Sequence, residues 1–151
     1  MAARSAGILM FRKIERLEVL LVHPGGPFFA RKDLGAWSIP KGEYGDSEDP
    51  LLAARREFSE ETGVTVEGTF LPLTAIKQKG GKEVLAWAVE GNIDASKVSS
   101  NTFELEWPPH SGRIQAFPEV DRAEWFDIVT AHAKINERQQ SLLDELETLV
   151  R

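Results

Sequence analysis

The hydrophobic pattern at the amino end of the chain predicts two paired strands followed by a loop. Apolar runs at residues 6–12 (AGILMFR) and 17–23 (LEVLLVH) are joined by a short charged turn. Two apolar runs bounded by a turn are typical of a hairpin in a buried sheet. Residues 24–36 (PGGPFFARKDLGA) are too rich in glycine and proline for regular structure, so we expect a surface loop there.

A helix is predicted at residues 50–62, because the sequence supplies residues suited to both of its ends. Asp49 is a favourable N-cap, and Pro50 suits the first helical position. Gly63 suits the left-handed residue that often follows a helix. The short segment at residues 37–41 (WSIPK) leads directly into this part of the chain.

The second half of the chain predicts more strands and a final helix. Strand-like segments lie at residues 64–78, 82–90, 102–107 and 123–126, and a helix with one apolar face lies at residues 130–150. The first two of these strands are expected to pair around a turn at Gly80 and Gly81. The order strands, helix, strands, helix favours an α+β fold, arranged as an α/β/α sandwich, over a doubly wound sheet.

Length and charge narrow the possible partners. At 151 residues, with 42% apolar and 28% charged residues and no linker or repeat, residues 1–151 are expected to form a single domain. The net charge of −6 argues against stable binding to nucleic acid or to an anionic membrane, because either needs a basic face. A phosphorylated small molecule is compatible with this charge, since a metal ion can invert the local field.

The absence of cysteine excludes several classes of site. Disulfides, thiolate catalysis and zinc–thiolate sites all need cysteine, and the chain has none. The apolar run within residues 1–11 is too short for a signal peptide or a membrane span. We therefore expect a protein of the cytoplasm.

The candidate chemistry lies in residues 42–64 (GEYGDSEDPLLAARREFSEETGV), which concentrate negative charge on the predicted helix. Glu57, Glu60 and Glu61 lie within roughly 100° of one another around the helix axis. Like charges at this spacing destabilise a helix, and carboxylates near its carboxyl end also oppose its dipole. Arg56 can offset only part of this repulsion.

A divalent cation would resolve this conflict of charges. Magnesium takes oxygen ligands and is often shared between carboxylates and substrate phosphates, where it can activate a water molecule. A glutamate left free of the metal can accept the proton of that water. The alternative interpretation is an ordinary solvated acidic face.

Residues 42–64 fit the pattern G-x5-E-x7-R-E-(apolar)-x-E-E-x-G-(apolar), which resembles the complete Nudix box without departure at a fixed position. Phe58 is a conservative variation at a position that favours aliphatic residues. The AGILMFR strand, the WSIPKG lead-in and the E-x5-W element from Glu119 to Trp125 are also similar to the family. Among its branches, the diadenosine polyphosphate hydrolases look most similar.

The resemblance implies a Nudix α/β/α sandwich with a mixed central sheet. It also implies hydrolysis of a nucleoside diphosphate linked to another moiety, by water attack with Mg2+ or Mn2+. Matched residue by residue, it implies metal ligands at Glu57 and Glu61, a general base at Glu60, an arginine at Arg56 that positions a catalytic glutamate, and loop glycines at Gly42 and Gly63. Family members differ in which carboxylate acts as the base.

Further site residues are suggested by their type and place. Glu119 is a candidate for an additional metal ligand or base, with Glu104, Glu106 and Glu124 as weaker rivals. Candidates for substrate binding are Lys41, Gly42, Arg31 and Tyr44, of which Lys41 and Arg31 would meet phosphates. Aromatic residues that can stack on a base or pack in the fold are Trp37, Tyr44, Phe117 and Trp107. The three histidines have no ligand spacing and are not assigned to the site.

Three functions are compared. The first is hydrolysis of a phosphoanhydride bond in a small nucleotide: a dinucleoside polyphosphate, a nucleoside triphosphate or a sugar nucleotide. The second is a module that senses a nucleotide without cleaving it, although such a protein is expected to have lost glutamates of the box. The third is hydrolysis at RNA 5′ ends, which needs a basic track that is supported only thinly by Arg31, Lys32, Lys77, Lys79 and Lys82. Nothing in the sequence decides the oligomeric state.

Overall fold

A computed structural model describes residues 4–150 as a mixed α+β fold. The strands are β1 (Arg4–Lys13), β2 (Leu17–Pro24), β3 (Lys41–Glu43), β4 (Leu71–Pro72), β5 (Ile76–Lys77), β6 (Glu83–Glu90), β7 (Thr102–Glu106), β8 (Ile114–Pro118) and β9 (Val120–Asp127), and the helices are α1 (Pro50–Thr62), α2 (Ile128–Lys134) and α3 (Gln140–Leu149). The hairpin predicted at the amino end is confirmed as β1 and β2.

The central sheet is mixed, as expected. Its strand order is β4-β6-β1-β2-β9, with β3 beside β1 and β5 beside β6. Strand β1 runs parallel to β6 and antiparallel to β2. Since β1 pairs with β2 only at Phe11, Arg12 and Lys13, the two strands separate, and the segment 37–43 enters beside them.

Helices cover both faces of the sheet, which confirms the α/β/α sandwich. Alternate residues of β1 point to opposite faces, so Ile8 and Leu9 belong to different cores. Ile8 packs in a cluster with Ala54 and Phe58 of α1. Leu9 packs in a second cluster with residues of α2 and α3, among them Leu142. Among residues 4–150, no helix is long and apolar enough to cross a membrane.

Helix α1 has the predicted ends. The Asp49 side chain accepts a hydrogen bond from the Leu52 backbone N–H at 3.1 Å, and Pro50 occupies the first turn. Gly63 ends the helix with φ of 78°, and its N–H donates to the Ser59 carbonyl. The helix that carries the three candidate glutamates is therefore fixed by its own local sequence.

Removing the cap is expected to destabilise the protein modestly. Asp49→Ala leaves an N–H of the first turn without its side-chain acceptor, which costs about 1 kcal/mol. For a chain of this size that corresponds to a melting temperature lower by about 3 °C. Asp46→Ala is the matched control, because Asp46 is an exposed aspartate of the same loop and does not cap the helix. Equal losses in the two variants would contradict the role of Asp49.

The prediction of one strand over residues 64–78 is wrong. Only the short strands β4 and β5 form there, both antiparallel to β6. Gly68 has φ of 140°, and Pro72 has no N–H to donate, so neither residue supports a continuous ladder. The turn at Gly80 and Gly81 is confirmed, and both glycines have positive φ.

The prediction of one continuous helix over residues 130–150 is also wrong. Ile135 is extended, with ψ of 150°, and separates α2 from α3. Its segment pairs with the Trp37 segment instead, because Trp37 N–H donates to the Lys134 carbonyl and Asn136 N–H donates to the Trp37 carbonyl. The Asn136 side chain then caps the turn that leads into α3.

Two strands of the fold lie outside the sequence predictions. Strand β3 pairs antiparallel with β1, from Ser5 opposite Glu43 to Gly7 opposite Lys41. Strand β8 pairs with β7, the strand expected at residues 102–107, and the two form a separate hairpin. Strand β9 extends the segment expected at residues 123–126 in both directions.

Candidate active site

The carboxylates of α1 line an open cavity of ≈ 340 Å³ beside β3. Its lining residues are Lys41, Gly42, Glu43, Glu57, Glu60, Glu61, Asn101 and Glu119. A neighbouring cavity of ≈ 200 Å³ shares Lys41, Glu61 and Glu119 and is otherwise more apolar. The structure therefore brings together six of the predicted site residues: the three glutamates of the helix, Glu119, Lys41 and Gly42.

Arg56 connects the glutamates of this region. Its Nε and Nη2 donate to the two carboxylate oxygens of Glu48 at 2.8 and 3.0 Å. Its Nη1 donates to Glu57 at 2.9 Å and to Glu60 at 3.1 Å. These bonds hold the pKa of Glu48 below its ordinary value and raise the pKa of Arg56. One guanidinium faces three carboxylates, so the cluster keeps a net negative charge.

Glu61 and Glu57 lie in an environment that disfavours their charged forms. Burial raises the pKa of Glu61 to about 8, and the charge of Glu57 adds to the effect. Burial also raises the pKa of Glu57, with a further contribution from the charge of Glu60. The charge of Lys41 and a hydrogen bond from its backbone N–H oppose this rise in the pKa of Glu61. A cation in the cavity would restore the charged forms.

Lys41 is the cation of β3 that reaches this cavity. Its ammonium is largely buried, and burial lowers its pKa, helped by the positive charge of Lys82. The charges of Glu61, Glu43 and Glu57 act in the opposite direction. Lys41 thus places a positive charge beside the carboxylates of the cavity.

Gly42 allows the Glu57 carboxylate to lie directly against β3. A Cβ atom at this position would lie 2.1 Å from both Cδ and Oε2 of Glu57. Heavy atoms cannot approach so closely, so any side chain at residue 42 would displace the carboxylate. The glycine that opens the sequence pattern has this steric function in the fold.

A chain of backbone hydrogen bonds fixes Glu119 at the cavity. Asn101 N–H donates to the Glu60 carbonyl at 2.8 Å, which satisfies one carbonyl near the end of α1. Glu119 N–H donates to the Asn101 carbonyl, and Gly25 N–H donates to the Glu119 carbonyl, both at 2.9 Å. The rivals of Glu119 line neither cavity: Glu104 and Glu106 lie on β7, and Glu124 lies on β9.

The residues present fit a divalent cation. Glu57, Glu61 and Glu119 supply the hard oxygen ligands that Mg2+ and Mn2+ prefer, and they line a single cavity. On the opposite side of the sheet, ligand atoms of His132, Asp144 and Glu147 lie within 4.8 Å of one another, which within residues 4–150 is not the case for those of Glu57, Glu61 and Glu119. A contact of 2.9 Å between His132 Nε2 and an Asp144 carboxylate oxygen accounts for two of those three residues.

Two predicted substrate-binding residues do not reach these cavities. Arg31 is exposed in the loop after β2, and Tyr44 packs against the core cluster of α1 with its hydroxyl buried. Neither residue lines either cavity, and their roles in binding stay predictions.

Of the aromatic candidates, two pack against other side chains of the fold. Trp37 is 1% exposed and makes edge contacts with His23 and Phe126, so it is a core residue. Phe117 packs on Phe103 across the β7–β8 hairpin. Trp107 is half-buried near the end of that hairpin.

Four residues that the structure brings to the site were not among the predicted site residues. Glu43 and Asn101 line the cavity, Lys82 pairs with Glu43 at 3.3 Å, and Glu48 holds Arg56. Glu48 occupies a fixed position of the box, and this position could have identified it as a partner of Arg56. Asn101 makes its hydrogen bonds to Glu60 and Glu119 through backbone atoms, so its residue type could not indicate this role.

Comparison with known proteins supports the assignment of the chain to a family. The Nudix domain family model matches residues 1–146. The chain is similar to the RNA pyrophosphohydrolase of Bartonella henselae, 36% identical over 66 residues that cover 40% of this chain and 35% of that protein. It is also similar to the asymmetrical bis(5'-nucleosyl)-tetraphosphatase of Rattus norvegicus, 31% identical over 103 residues that cover 60% of this chain and 66% of that protein.

Solved structures share the fold over nearly the whole chain. An Ap4A hydrolase of C. elegans in a binary complex superposes with a TM-score of 0.68 and 24% identity, covering 97% of each chain. The Nudix domain of Shewanella oneidensis NrtR, complexed with ADP ribose, superposes with a TM-score of 0.71 and 14% identity, covering 100% of this chain and 90% of that one. The match of the family model across residues 1–146, together with this fold, establishes that the chain belongs to the Nudix family.

Proposed function

We propose that this protein is a metal-dependent pyrophosphohydrolase that cleaves a phosphoanhydride bond in a nucleoside diphosphate-linked substrate. The observation that carries the proposal is the arrangement of Glu57, Glu60, Glu61 and Glu119 around one open cavity that also holds Lys41. Such a cavity suits a substrate that brings phosphates and a cation together. A dinucleoside polyphosphate is the preferred substrate class, followed by a nucleoside triphosphate.

The cation would be held by Glu57, Glu61 and Glu119, with Mg2+ or Mn2+ as the ion. When bound, such an ion neutralises phosphate charge and acidifies a water molecule. Burial, followed by repulsion between neighbouring carboxylates, raises the pKa of Glu61 and of Glu57, and a bound cation would oppose both shifts. Gly42 leaves room for the Glu57 carboxylate, so the backbone of β3 at this position contributes to the binding geometry.

Glu60 is proposed to accept the proton of the attacking water. A new bond forms between the water oxygen and phosphorus, the bridging P–O bond breaks, and the leaving phosphate takes the electron pair. Arg56 holds Glu60 and Glu57 through one guanidinium nitrogen and is itself held by Glu48, so it positions both carboxylates. Lys41 is proposed to bind a substrate phosphate from the side of β3.

The choice of substrate class rests on similarity and on charge. Relatives named as a tetraphosphatase of dinucleosides and as an Ap4A hydrolase favour a dinucleoside polyphosphate. The RNA pyrophosphohydrolase relative supports a second candidate, although the net charge of −6 disfavours a polymer substrate. A module that only senses nucleotides is disfavoured, because every glutamate of the box is present. A location in the cytoplasm stays a prediction.

A panel of nucleotide anhydrides tests the proposal. With Mg2+, the protein is expected to hydrolyse diadenosine tetraphosphate best, EDTA to stop the reaction, and Mn2+ to restore it. Glu60→Gln is expected to lower kcat by about 10²- to 10⁴-fold, because it removes the proton acceptor. Glu67→Gln is the matched control, since Glu67 is exposed and lines neither cavity. No phosphate release across the panel, or full activity in Glu60→Gln, would overturn the proposal.

A further inference from the structure

The pairing of β2 with β9 is interrupted by a β-bulge close to the cavity of the carboxylates. His23 of β2 lies opposite Arg122 of β9. Pro24, the next residue, lies opposite Val120, so Asp121 is an extra residue on β9. Pro24 has no N–H to donate, so the ladder also loses a hydrogen bond at this point. Bulges change the direction of nearby side chains and are frequent beside active sites.

The bulge determines which side chains face the carboxylates. Side chains of a regular strand alternate between the two faces of a sheet, so Val120 and Ala123 would lie on opposite faces. Both instead pack in the core cluster of α1, because the extra residue lies between them. Val120 therefore lines the smaller cavity together with Glu119 and Glu61. Without the bulge, a shift of one residue would turn Val120 and Glu119 to the other face of the sheet.

Side chains, rather than the ladder, hold the bulge in place. Nδ1 of His23 lies 2.8 Å from Oδ1 of Asp121, the extra residue. The N–H of Val120 donates to the hydroxyl of Ser100 at 3.0 Å. This hydroxyl donates in turn to the carbonyl of Asn101 at 2.7 Å. The two residues that follow Glu119 thus each have a fixed partner.

The imidazole of His23 uses both of its ring nitrogens. The residue is fully buried, and its ring meets that of Trp37 edge to face, with centroids 5.1 Å apart. Nε2 lies 2.6 Å from the Lys32 carbonyl oxygen, which can only accept, so Nε2 carries a hydrogen. Nδ1 shares a second hydrogen with the Asp121 carboxylate. His23 therefore joins the loop after β2 to the bulge through a ring of fixed orientation.

We propose that His23 and Asp121 are positioning residues for Glu119: their hydrogen bond holds the bulge of β9 and thereby keeps the Glu119 carboxylate at the cavity. The inference rests on the proposed function, because it takes Glu119 as a ligand of the cation. Neither His23 nor Asp121 lines either cavity, so both act through the backbone of β9.

Substitutions at Asp121 and His23 can remove one hydrogen bond at a time. Asp121→Ala removes the partner of Nδ1, whereas Asp121→Asn removes the same charge but keeps an amide that can bond to Nδ1. In His23→Asn the amide nitrogen takes the place of Nδ1 and can reach Asp121. In His23→Gln it takes the place of Nε2 and can reach the Lys32 carbonyl instead. Because both His23 variants lose the same ring, they are a matched pair.

Binding of Mn2+, measured by calorimetry without substrate, tests the position of Glu119. Asp121→Ala and His23→Gln are expected to raise the Kd of Mn2+ about tenfold, as is typical when the support of a metal ligand is removed. Asp121→Asn and His23→Asn should keep most of the affinity. In a Glu119→Gln background, Asp121→Ala should cause little further loss, because the ligand is already absent. A purely structural role would lower the melting temperatures without separating the members of each pair.

Amide hydrogen exchange, followed by NMR without metal, separates this inference from the proposed function. The N–H of Gly25 is bonded to the Glu119 carbonyl, and the N–H of Glu119 is bonded to the Asn101 carbonyl. Both should exchange about tenfold faster in Asp121→Ala than in Asp121→Asn. Asp121 is exposed, so these two variants are expected to fold even if the His23 variants do not.

The outcomes separate as follows. Equal exchange rates in Asp121→Ala and Asp121→Asn would overturn the inference, and so would faster exchange with an unchanged affinity for Mn2+. A wild-type protein that hydrolyses no anhydride, or binds no Mn2+, would overturn the proposed function. The exchange rates alone would then decide whether His23 and Asp121 hold the backbone of Glu119.

Discussion

Replacing Glu61 by glutamine is expected to abolish hydrolysis and, at the same time, to stabilise the metal-free protein above neutral pH. Burial raises the pKa of Glu61 to about 8, and the charge of Glu57 adds to the effect. Ionising this carboxyl therefore costs more free energy in the folded protein than in the unfolded chain. Glutamine has a similar shape without the charge, so it removes the cost together with a proposed metal ligand.

The pH dependence follows from the direction of this shift. The pKa of Glu61 rises from 4.5 to about 8 on folding, so the folded state binds the proton more firmly than the unfolded state. The contribution of Glu61 to stability is then present below about pH 4.5 and is lost as the pH rises to about 8. Because the pKa of Glu57 is raised as well, the variant is expected to keep part of this decline.

Thermal melting from pH 5 to pH 9, in EDTA and in Mg2+, measures both effects. In EDTA the wild-type melting temperature should fall across this range, and Glu61→Gln should melt higher than wild type near pH 8. Added Mg2+ should stabilise the wild type more than the variant, because a bound ligand stabilises the state that binds it. Glu67→Gln should behave as wild type. A less stable Glu61→Gln in EDTA at pH 8, or a flat wild-type profile, would contradict the electrostatic argument.

Features that depend on local sequence could be predicted. Helix α1 begins and ends where Asp49 and Gly63 place its limits, since both act on their own helix turn. Glu57, Glu60 and Glu61 lie on one face of α1 because of their spacing along the helix alone. These are interactions between residues fewer than five positions apart, which a single sequence contains in full.

Features that depend on distant partners could not be predicted. Ile135 leaves the helical conformation because its segment pairs with Trp37, almost a hundred residues earlier. Strand β3 exists because Gly7 has no side chain: a Cβ there would lie 2.7 Å from the Pro40 carbonyl oxygen. The hydrophobic pattern does not indicate which distant segments pair. Neither β3 nor the end of α2 could therefore be predicted from it.

The candidate site divides in the same way. Glu119 lines the cavity and its three acidic rivals do not, but its position depends on the backbone bonds through Asn101, which residue type does not predict. Arg31 was chosen as a cation in a loop, and it is exposed and lines neither of the two cavities at the carboxylates, so its role in binding stays a prediction. The candidate carboxylates of α1 are thus local in the sequence, whereas Glu119 is brought beside them by the tertiary structure.

Gly42→Ala is expected to lower kcat/KM by about 10²-fold or more while leaving the fold intact. The backbone of Gly42 does not have positive φ, so alanine is permitted there without backbone strain. The new methyl group would lie 2.1 Å from the Glu57 carboxylate, which must move by more than about 1 Å to reach ordinary contact. Activity and melting temperature, measured together, separate a displaced carboxylate from a damaged core.

Two comparisons make the role of Gly42 specific. Gly45→Ala is the matched control in the same loop, because a Cβ there meets no atom of residues 4–150 within 4 Å, and its activity should equal that of wild type. Glu57→Ala provides the second comparison, since Gly42 acts on catalysis through Glu57. Adding Gly42→Ala to Glu57→Ala should therefore cause little further loss, which is the non-additivity expected of two residues in contact. If the two losses multiply instead, Gly42 contributes through its own backbone contact with the substrate rather than by positioning Glu57.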